Sequence, residues 1–419
     1  MKTRGTVRVP GDKSISHRAL ILAALATGKS HIRGILLSDD VRSTAGVLRQ
    51  LGVDVPDLSG EITISGVGLQ GLAASHAALQ CGNSGTTARL LAGVVSACSF
   101  ASRFEGDASL SQRPMQRIAD PLTAMGARFE FERGDRLPMT VHGGSLSGLA
   151  WSTRAASAQT KSAILLAALV ARVPVSVRES AKSRDHTERM LASLRVPITI
   201  DNLSISLSPV QELAPLDIDV PADPSSAVYL AALASLASEG EVRLPDVCIN
   251  PTRTGFFDVL RQMGGSVRYV GKRCVAGDDV ATVVAAPAFL RRFKAGGDLV
   301  PSMIDEIPLL GCVAAAAGVD LEISGAAELR VKESDRIATL VSNLRAIGAE
   351  AEETADGFRV YGTRRALSGR VVTRGDHRIA MSFGVLAALP GNQIEVDDRD
   401  CVAVSYPGFW SDLEAVCSM

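Results

Sequence analysis

Aromatic residues are scarce. They make up 4% of the 419 residues, with two tryptophans and four tyrosines. The core must therefore be aliphatic and alanine-rich, with closely packed helices. Cysteines are few and unpatterned. Cys81, Cys98, Cys248, Cys274, Cys312, Cys401 and Cys417 are odd in number and lack a C-x-x-C pair. That argues against a zinc site and for buried thiols in a reducing cytoplasm. Net charge is only −1, so no overall field recruits nucleic acid. Apolar runs are interrupted or too short for a bilayer, so no membrane span is expected. Met1-Lys2-Thr3-Arg4-Gly5-Thr6-Val7 has no apolar signal core. His17, His31, His76, His142 and His186 show no metal-ligand spacing, and no G-x-S-x-G elbow occurs. No Pro- or Ser-rich linker marks a domain boundary. A hydrophobic share of 46% against 21% charged indicates a folded chain, and its length exceeds one ordinary core.

What the chain has is repetition. Alanine-rich apolar runs begin near Ala19, Leu90, Ala163, Ala227, Leu309 and Ile379, each behind a polar cluster. The clusters are Gly11-Asp12-Lys13-Ser14 with Arg18, Gly82-Asn83-Ser84-Gly85-Thr86-Thr87 with Arg89, Ser157-Ala158-Gln159-Thr160-Lys161, Asp223-Pro224-Ser225-Ser226, Asp305-Glu306-Ile307-Pro308 and Gly375-Asp376-His377-Arg378. A second amphipathic helix follows in each copy, ending at Gly52, Gly126, Gly264 or Gly348 where a C-cap belongs. The third and sixth copies are degenerate or truncated. Units of roughly 65–80 residues, repeated, predict an α/β fold of two similar domains, three units each. The extended proline segments Val7–Gly11 and Ile218–Ala222 are the expected crossings. They divide the chain into 1–12 with 223–419 and an inserted 13–222, and would put the polar clusters beside an interdomain cleft.

Helix N-termini already carry partial positive charge. Placing Lys13, Arg18, Arg89 and Arg378 there opposes the dipole unless an anion binds, which points to a polyanionic small molecule. Lys332-Glu333-Ser334-Asp335-Arg336 repeats that chemistry and reads otherwise as a solvated helix start. Asp305 reads as a helix cap, or in a basic site as a general base with Glu333 as acid. The Gly82–Thr87 loop is a turn with a cap, or a nest of N–H groups for an anion. Two motifs mislead. Gly66-Val67-Gly68-Leu69-Gln70-Gly71 matches G-x-G-x-x-G but has no acidic residue about twenty positions on, which disfavours a dinucleotide-dependent oxidoreductase. Gly28-Lys29-Ser30 follows a helix instead of opening one, so it is no P-loop. A non-catalytic repeat scaffold would not need carboxylates among convergent basic helix starts.

Taken in order, these clusters resemble the 3-phosphoshikimate 1-carboxyvinyltransferase (EPSP synthase) family of enolpyruvyl transferases. Gly106-Asp107-Ala108-Ser109-Leu110-Ser111-Gln112-Arg113-Pro114-Met115, Ser183-Arg184-Asp185-His186-Thr187-Glu188 and Val331–Arg336 complete the set. The resemblance spans essentially the whole chain. It implies two inside-out α/β domains with the site in the cleft between them. It also implies transfer of the enolpyruvyl group of phosphoenolpyruvate to the 5-hydroxyl of shikimate 3-phosphate, toward chorismate and the aromatic amino acids. No metal or organic cofactor is implied, and a cytoplasmic monomer is expected.

The implied shikimate 3-phosphate contacts are Lys13, Ser14, Arg18, Ser157, Gln159, Asp305 and Lys332. Those for phosphoenolpyruvate are Lys13, Gly85, Arg113, Gln159, Arg336, His377 and Arg378. Asp305 would be the base; Glu333 would deliver the proton to the methylene carbon, with Lys13 competing for that role. The sister transferase that uses UDP-N-acetylglucosamine usually has a cysteine in the loop before the Arg-Pro pair, and Gly106–Arg113 has none. Three positions depart from the pattern: Val404 where some members have lysine, Ala158 for a common serine, and Leu90 where some have proline. Because Gly85 is retained, glyphosate is expected to compete with phosphoenolpyruvate.

Overall fold

Each alanine-rich run forms a helix with almost no solvent-facing side. The computed structural model describes residues 1–362 and 365–418. Its helices are α1 (Lys13–Leu25), α2 (Asp39–Gln50), α3 (Gly85–Ser96), α4 (Gln116–Met125), α5 (Ala158–Ala171), α6 (His186–Ser193), α7 (Pro224–Leu236), α8 (Gly255–Gln262), α9 (Val300–Met303), α10 (Ile307–Ala317), α11 (Arg336–Ala346), α12 (His377–Ala387) and α13 (Phe409–Val416). Helix α1 is buried continuously from Ile15 to Leu25, α5 from Thr160 to Val170, and α7 from Pro224 to Ser235. Helices α3, α10 and α12 are buried in the same way. A helix that is apolar all round must lie inside, and these six form the cores. Helices α2, α4 and α8 bury one face only. Their ends follow the glycine signal: Gly52, Gly126, Gly264 and Gly348 all have φ between +88° and +121°.

The chain divides into two compact units. The terminal unit comprises Met1–Asp12, Pro221–Cys274 and Asp279–Met419; the inserted unit comprises Lys13–Val220 and Val275–Asp278. In the inserted unit, α1, α3 and α5 are the inner helices. Alanine and glycine let them approach closely: a Cβ on Gly93 of α3 would lie 2.4 Å from the carbonyl oxygen of Ala163 on α5. Around them stand two four-stranded sheets and one of three strands. Glu61–Val67 alternates exposed and buried positions through Ile64, as a sheet with one solvated face should.

The terminal unit repeats the plan around α7, α10 and α12. Its largest sheet has five strands, in which Lys2–Thr6 runs parallel to Glu239–Cys248 and antiparallel to Cys417–Ser418. A four-stranded and a two-stranded sheet complete it. Both units are thus α/β with helices inside and sheets outside. Among the described residues no single helix is long and apolar enough to cross a membrane.

Candidate active site

The polar clusters fall at helix starts. Lys13, Gly85, Arg336 and His377 are the first residues of α1, α3, α11 and α12, and Ser157 is the N-cap of α5. Short polar side chains fix these starts. Ser84 accepts from the Thr87 amide, Ser157 from Thr160, Asp223 from Ser225, Asp335 from Ala338 and Asp376 from Arg378. Each such cap stabilises its helix by about 1 kcal/mol.

In the inserted unit these starts are tied together by side chains. Lys13 Nζ lies 3.0 Å from Asp40 Oδ2 on α2. Arg18 is buried and donates to Thr187 Oγ1 (2.6 Å), the Ser14 carbonyl (2.9 Å) and Ser162 Oγ (2.8 Å). Arg89 donates to Gln159 Oε1 at 2.8 Å and to the Pro114 carbonyl at 3.1 Å. Gln159 in turn donates to Thr86 Oγ1 at 3.1 Å. Arg113 donates to Asn83 Oδ1 at 2.8 Å, and Asn83 donates to Asp107 Oδ2 at 2.7 Å. Gly85 sits under both arginines: a Cβ there would lie 2.7 Å from Arg89 Nη1 and 3.6 Å from Arg113 Nη1. The structure therefore brings Lys13, Ser14, Arg18, Gly85, Ser157 and Gln159 onto the linked starts of three inner helices, with Arg113, at the end of the 3₁₀ turn Leu110–Gln112, reaching Gly85 from outside them.

Beneath them runs a buried chain of hydrogen bonds. His17 Nδ1 is 2.7 Å from Thr44 Oγ1, Thr44 is 2.6 Å from Thr87 Oγ1, and Thr87 donates to Ser84 Oγ at 2.7 Å. Burial, with Lys13 and Arg18 adding like-charge repulsion, lowers the His17 pKa well below 6.5. The folded protein then resists protonation while the unfolded chain accepts it. Stability that is full above 6.5 is therefore lost as pH falls from there toward the lowered folded value. Unfolding free energies from urea titrations between pH 7.5 and 5 should fall more steeply for wild type than for His17→Gln, by up to about 1.4 kcal/mol per pH unit. Parallel curves would show that His17 protonates freely.

In the terminal unit one guanidinium organises the cluster. Arg336 is 1% exposed. Its Nε donates to Asp376 Oδ2 (2.9 Å), Nη1 to Asp305 Oδ1 (3.1 Å) and Nη2 to Glu333 Oε2 (2.6 Å). Lys332 Nζ lies 3.5 Å from the same Asp305 oxygen. Burial alone would lower the Arg336 pKa; Asp376, Glu333 and Asp305 outweigh it and hold it well above its ordinary value. Arg378, on the first turn of α12, donates to the Ser225 carbonyl at 3.0 Å. It is pulled down by burial but raised overall by Tyr229, Asp305, Glu306 and Asp223. His377 is 1% exposed.

Asp305 is not a cap, which was the alternative reading of its sequence position. Glu306 occupies the N-cap of α10, without a side-chain cap bond, and the Asp305 carboxylate is turned onto Arg336 and Lys332. The arrangement couples two carboxylates, Asp305 and Glu333, to one cation. Such a pair can accept a proton at one oxygen and release one at another. Val404 ends a 3₁₀ turn, Asp400–Val404, and supplies no charge. The misleading glycines open no helix: Gly66 lies within the strand Glu61–Val67, packed against the Ala26 carbonyl, and Gly28 to Ser30 lie within the strand Thr27–Arg33.

Several pairings cannot be read from the sequence. Asp40 reads there as a dipole-favourable residue in the first turn of α2, with nothing to link it to Lys13. Lys161, 1% exposed, pairs with Glu188 at 2.6 Å and Glu179 at 2.7 Å. Lys161 ends the polar cluster that leads α5, and the sequence does not show that Glu179 and Glu188 are its partners. Asp376 was seen only as part of a motif, yet it bonds Arg336, Ser334 and the Arg378 amide.

Residues 1–413 match the family described as EPSP synthase (3-phosphoshikimate 1-carboxyvinyltransferase). The chain is 44% identical over 420 residues to a 3-phosphoshikimate 1-carboxyvinyltransferase of a Sulfurihydrogenibium species, covering 99% of this chain and 97% of that protein. It is 46% identical over 408 residues to the protein of that name from Alkalilimnicola ehrlichii, covering 97% and 92%. Among solved structures, an EPSP synthase from Acinetobacter baumannii superposes with a TM-score of 0.85 at 39% identity, over 98% of this chain and 95% of that one. The enolpyruvyl transferase NikO from Streptomyces tendae shares the fold at a TM-score of 0.77 and 18% identity, over 99% and 95% of the two chains.

Proposed function

We infer the reaction from descent and geometry together: this chain belongs to the EPSP synthase (3-phosphoshikimate 1-carboxyvinyltransferase) family. It is a transferase that moves the enolpyruvyl group of phosphoenolpyruvate onto shikimate 3-phosphate, a step of aromatic amino acid biosynthesis. The observation that carries the assignment of roles is Asp305, a carboxylate held by Arg336 and Lys332 with Glu333 on the same guanidinium.

In our reading, Asp305 removes the proton from the 5-hydroxyl of shikimate 3-phosphate. The oxygen attacks C2 of phosphoenolpyruvate while Glu333 protonates C3. The resulting tetrahedral adduct loses phosphate, and a proton leaves the new methyl group to restore the double bond. Lys13 is the alternative donor in the protonation step. Lys13, Ser14, Arg18, Ser157, Gln159, Asp305 and Lys332 bind shikimate 3-phosphate. Lys13, Gly85, Arg113, Gln159, Arg336, His377 and Arg378 bind phosphoenolpyruvate. Paired guanidinium and ammonium groups suit a phosphate and a carboxylate. Preorganised charge supplies the larger part of the acceleration. We also propose a cytoplasmic monomer; the seven cysteines are all free thiols.

The test is phosphate release from phosphoenolpyruvate with and without shikimate 3-phosphate. Release should depend on shikimate 3-phosphate, and release indifferent to it would refute the assignment. Glyphosate should raise the apparent KM for phosphoenolpyruvate without changing kcat; no competition would count against the Gly85 site.

Gly85→Ala sharpens the point. Its Cβ would press on Arg89, whose head is held by Gln159 and Pro114, and would touch Arg113. Those are flexible tips, so the fold should survive. We expect KM for phosphoenolpyruvate to rise about tenfold, with KM for shikimate 3-phosphate little changed. Equal changes in both would mean that Gly85 does not border the phosphoenolpyruvate site.

A further inference from the structure

We propose that Arg253 is a positioning residue for phosphoenolpyruvate: it fixes, through the first turn of α7, the guanidinium of Arg378. The inference rests on the assignment of Arg378 above. Arg253 lies in Asn250-Pro251-Thr252-Arg253-Thr254-Gly255, a stretch that carries none of the motifs described. It is 2% exposed, among the least accessible charges in the protein. Its guanidinium forks. Nη1 donates to Asp12 Oδ2 at 2.8 Å, and Nη2 donates to Asp223 Oδ1 at 2.8 Å and Ser225 Oγ at 2.9 Å.

Each of these partners is itself held. The Asp12 amide donates to the Pro221 carbonyl at 2.7 Å, and the Asp223 amide to the Pro10 carbonyl at 2.8 Å. Asp223 also caps α7 through the Ser225 amide at 2.8 Å. Ser225 is the pivot. Arg253 grips its hydroxyl, and its carbonyl receives Nη1 of Arg378 at 3.0 Å. Arg378 thus takes its bearing from a turn of α7 that Arg253 has locked, while Asp376 holds the Arg378 backbone amide at the start of α12.

Stability alone does not account for such a cluster. A buried ion pair often contributes no more than well-packed apolar groups of the same volume. A rigid bidentate fork does give direction, and direction is what a cation must have to meet a planar carboxylate or a phosphate. Arg253 touches no substrate in this account. Its effect on the substrate passes through the first turn of α7, held by Asp223 and Ser225, to Arg378.

The experiment compares steady-state kinetics and melting temperature in Arg253→Gln, Arg253→Lys and Asp223→Asn. Arg253→Gln removes the fork, and Arg253→Lys restores the charge without the geometry. Asparagine at 223 keeps a good helix cap while removing the charge that Arg253 holds. Arg253→Gln should raise KM for phosphoenolpyruvate about tenfold, with Arg253→Lys and Asp223→Asn between it and wild type. KM for shikimate 3-phosphate should stay within about twofold of wild type, since Arg378 is assigned to the other substrate. Lower melting temperatures with both KM values unchanged would overturn the proposal, as would equal rises in both. Should Arg253→Gln not fold, Asp223→Asn decides by the same criterion. A wild type that releases no phosphate in response to shikimate 3-phosphate would instead refute the reaction assignment beneath it.

Discussion

Asp305→Asn will lower kcat by about 10²–10⁴-fold while the protein stays folded. Asparagine keeps the shape and can still meet Arg336 and Lys332 through its carbonyl oxygen, but it cannot take a proton. The Asp305 side chain is part-exposed, and its oxygen faces two cations at 3.1 and 3.5 Å. Losing its charge therefore leaves Arg336 with Glu333 and Asp376, and the cluster should hold. KM for either substrate should move far less than kcat, because proton abstraction belongs to the transition state. A variant with wild-type kcat would remove Asp305 from the role of base and leave the reaction standing.

Arg336→Met should be the most damaging single change in the terminal unit. Arg336 lies among Asp305, Glu333 and Asp376, and methionine would leave three carboxylates facing one another. Removing one partner of a buried ion pair typically costs about 3–5 kcal/mol. The cost should be largest at neutral pH, where all three carry charge, and should shrink on acidification as protons relieve the repulsion. Activity should fall at least about 10²-fold even in the folded fraction, since under the proposed assignment the phosphoenolpyruvate anion loses a ligand and Asp305 and Glu333 lose their anchor. Chemical denaturation at pH 7 and pH 5 checks the stability claim. A midpoint equal to wild type at both would show that Arg336 is not the organising charge.

The inner helices were legible because their signals are local. Alanine-rich runs that are apolar on every side have one place to go, and the residues before them are true caps: Ser84, Ser157, Asp223 and Asp376. The glycine stops at Gly52, Gly126, Gly264 and Gly348 were legible for the same reason. Short strands were not. Leu79–Gln80 and Asp217–Asp219 have too few residues for alternation to register, and only pairing with Ala101–Glu105 and Thr27–Arg33 makes them strands.

The site divides in the same way. Cations at helix starts announce an anion from sequence alone. Partnerships across long separations do not: Lys13 with Asp40, Arg18 with Thr187 and Arg253 with Asp12 exist only once the chain has folded. Charge type could be read, but charge pairing could not. That is why the sequence leaves Asp305 between cap and base and does not show its contact with Arg336.

The central claim is that the reaction proceeds by protonation at C3, addition of the ring hydroxyl at C2 and elimination of phosphate. It is tested most directly by running the forward reaction in D₂O and reading the vinyl methylene of the product by mass spectrometry and proton NMR. Protonation at C3 makes a CH₂D group in the adduct, and elimination then removes either isotope. The account predicts deuterium in the product methylene, at a rate that falls with kcat in Asp305→Asn. A product formed at the normal rate with no deuterium at that carbon would contradict it.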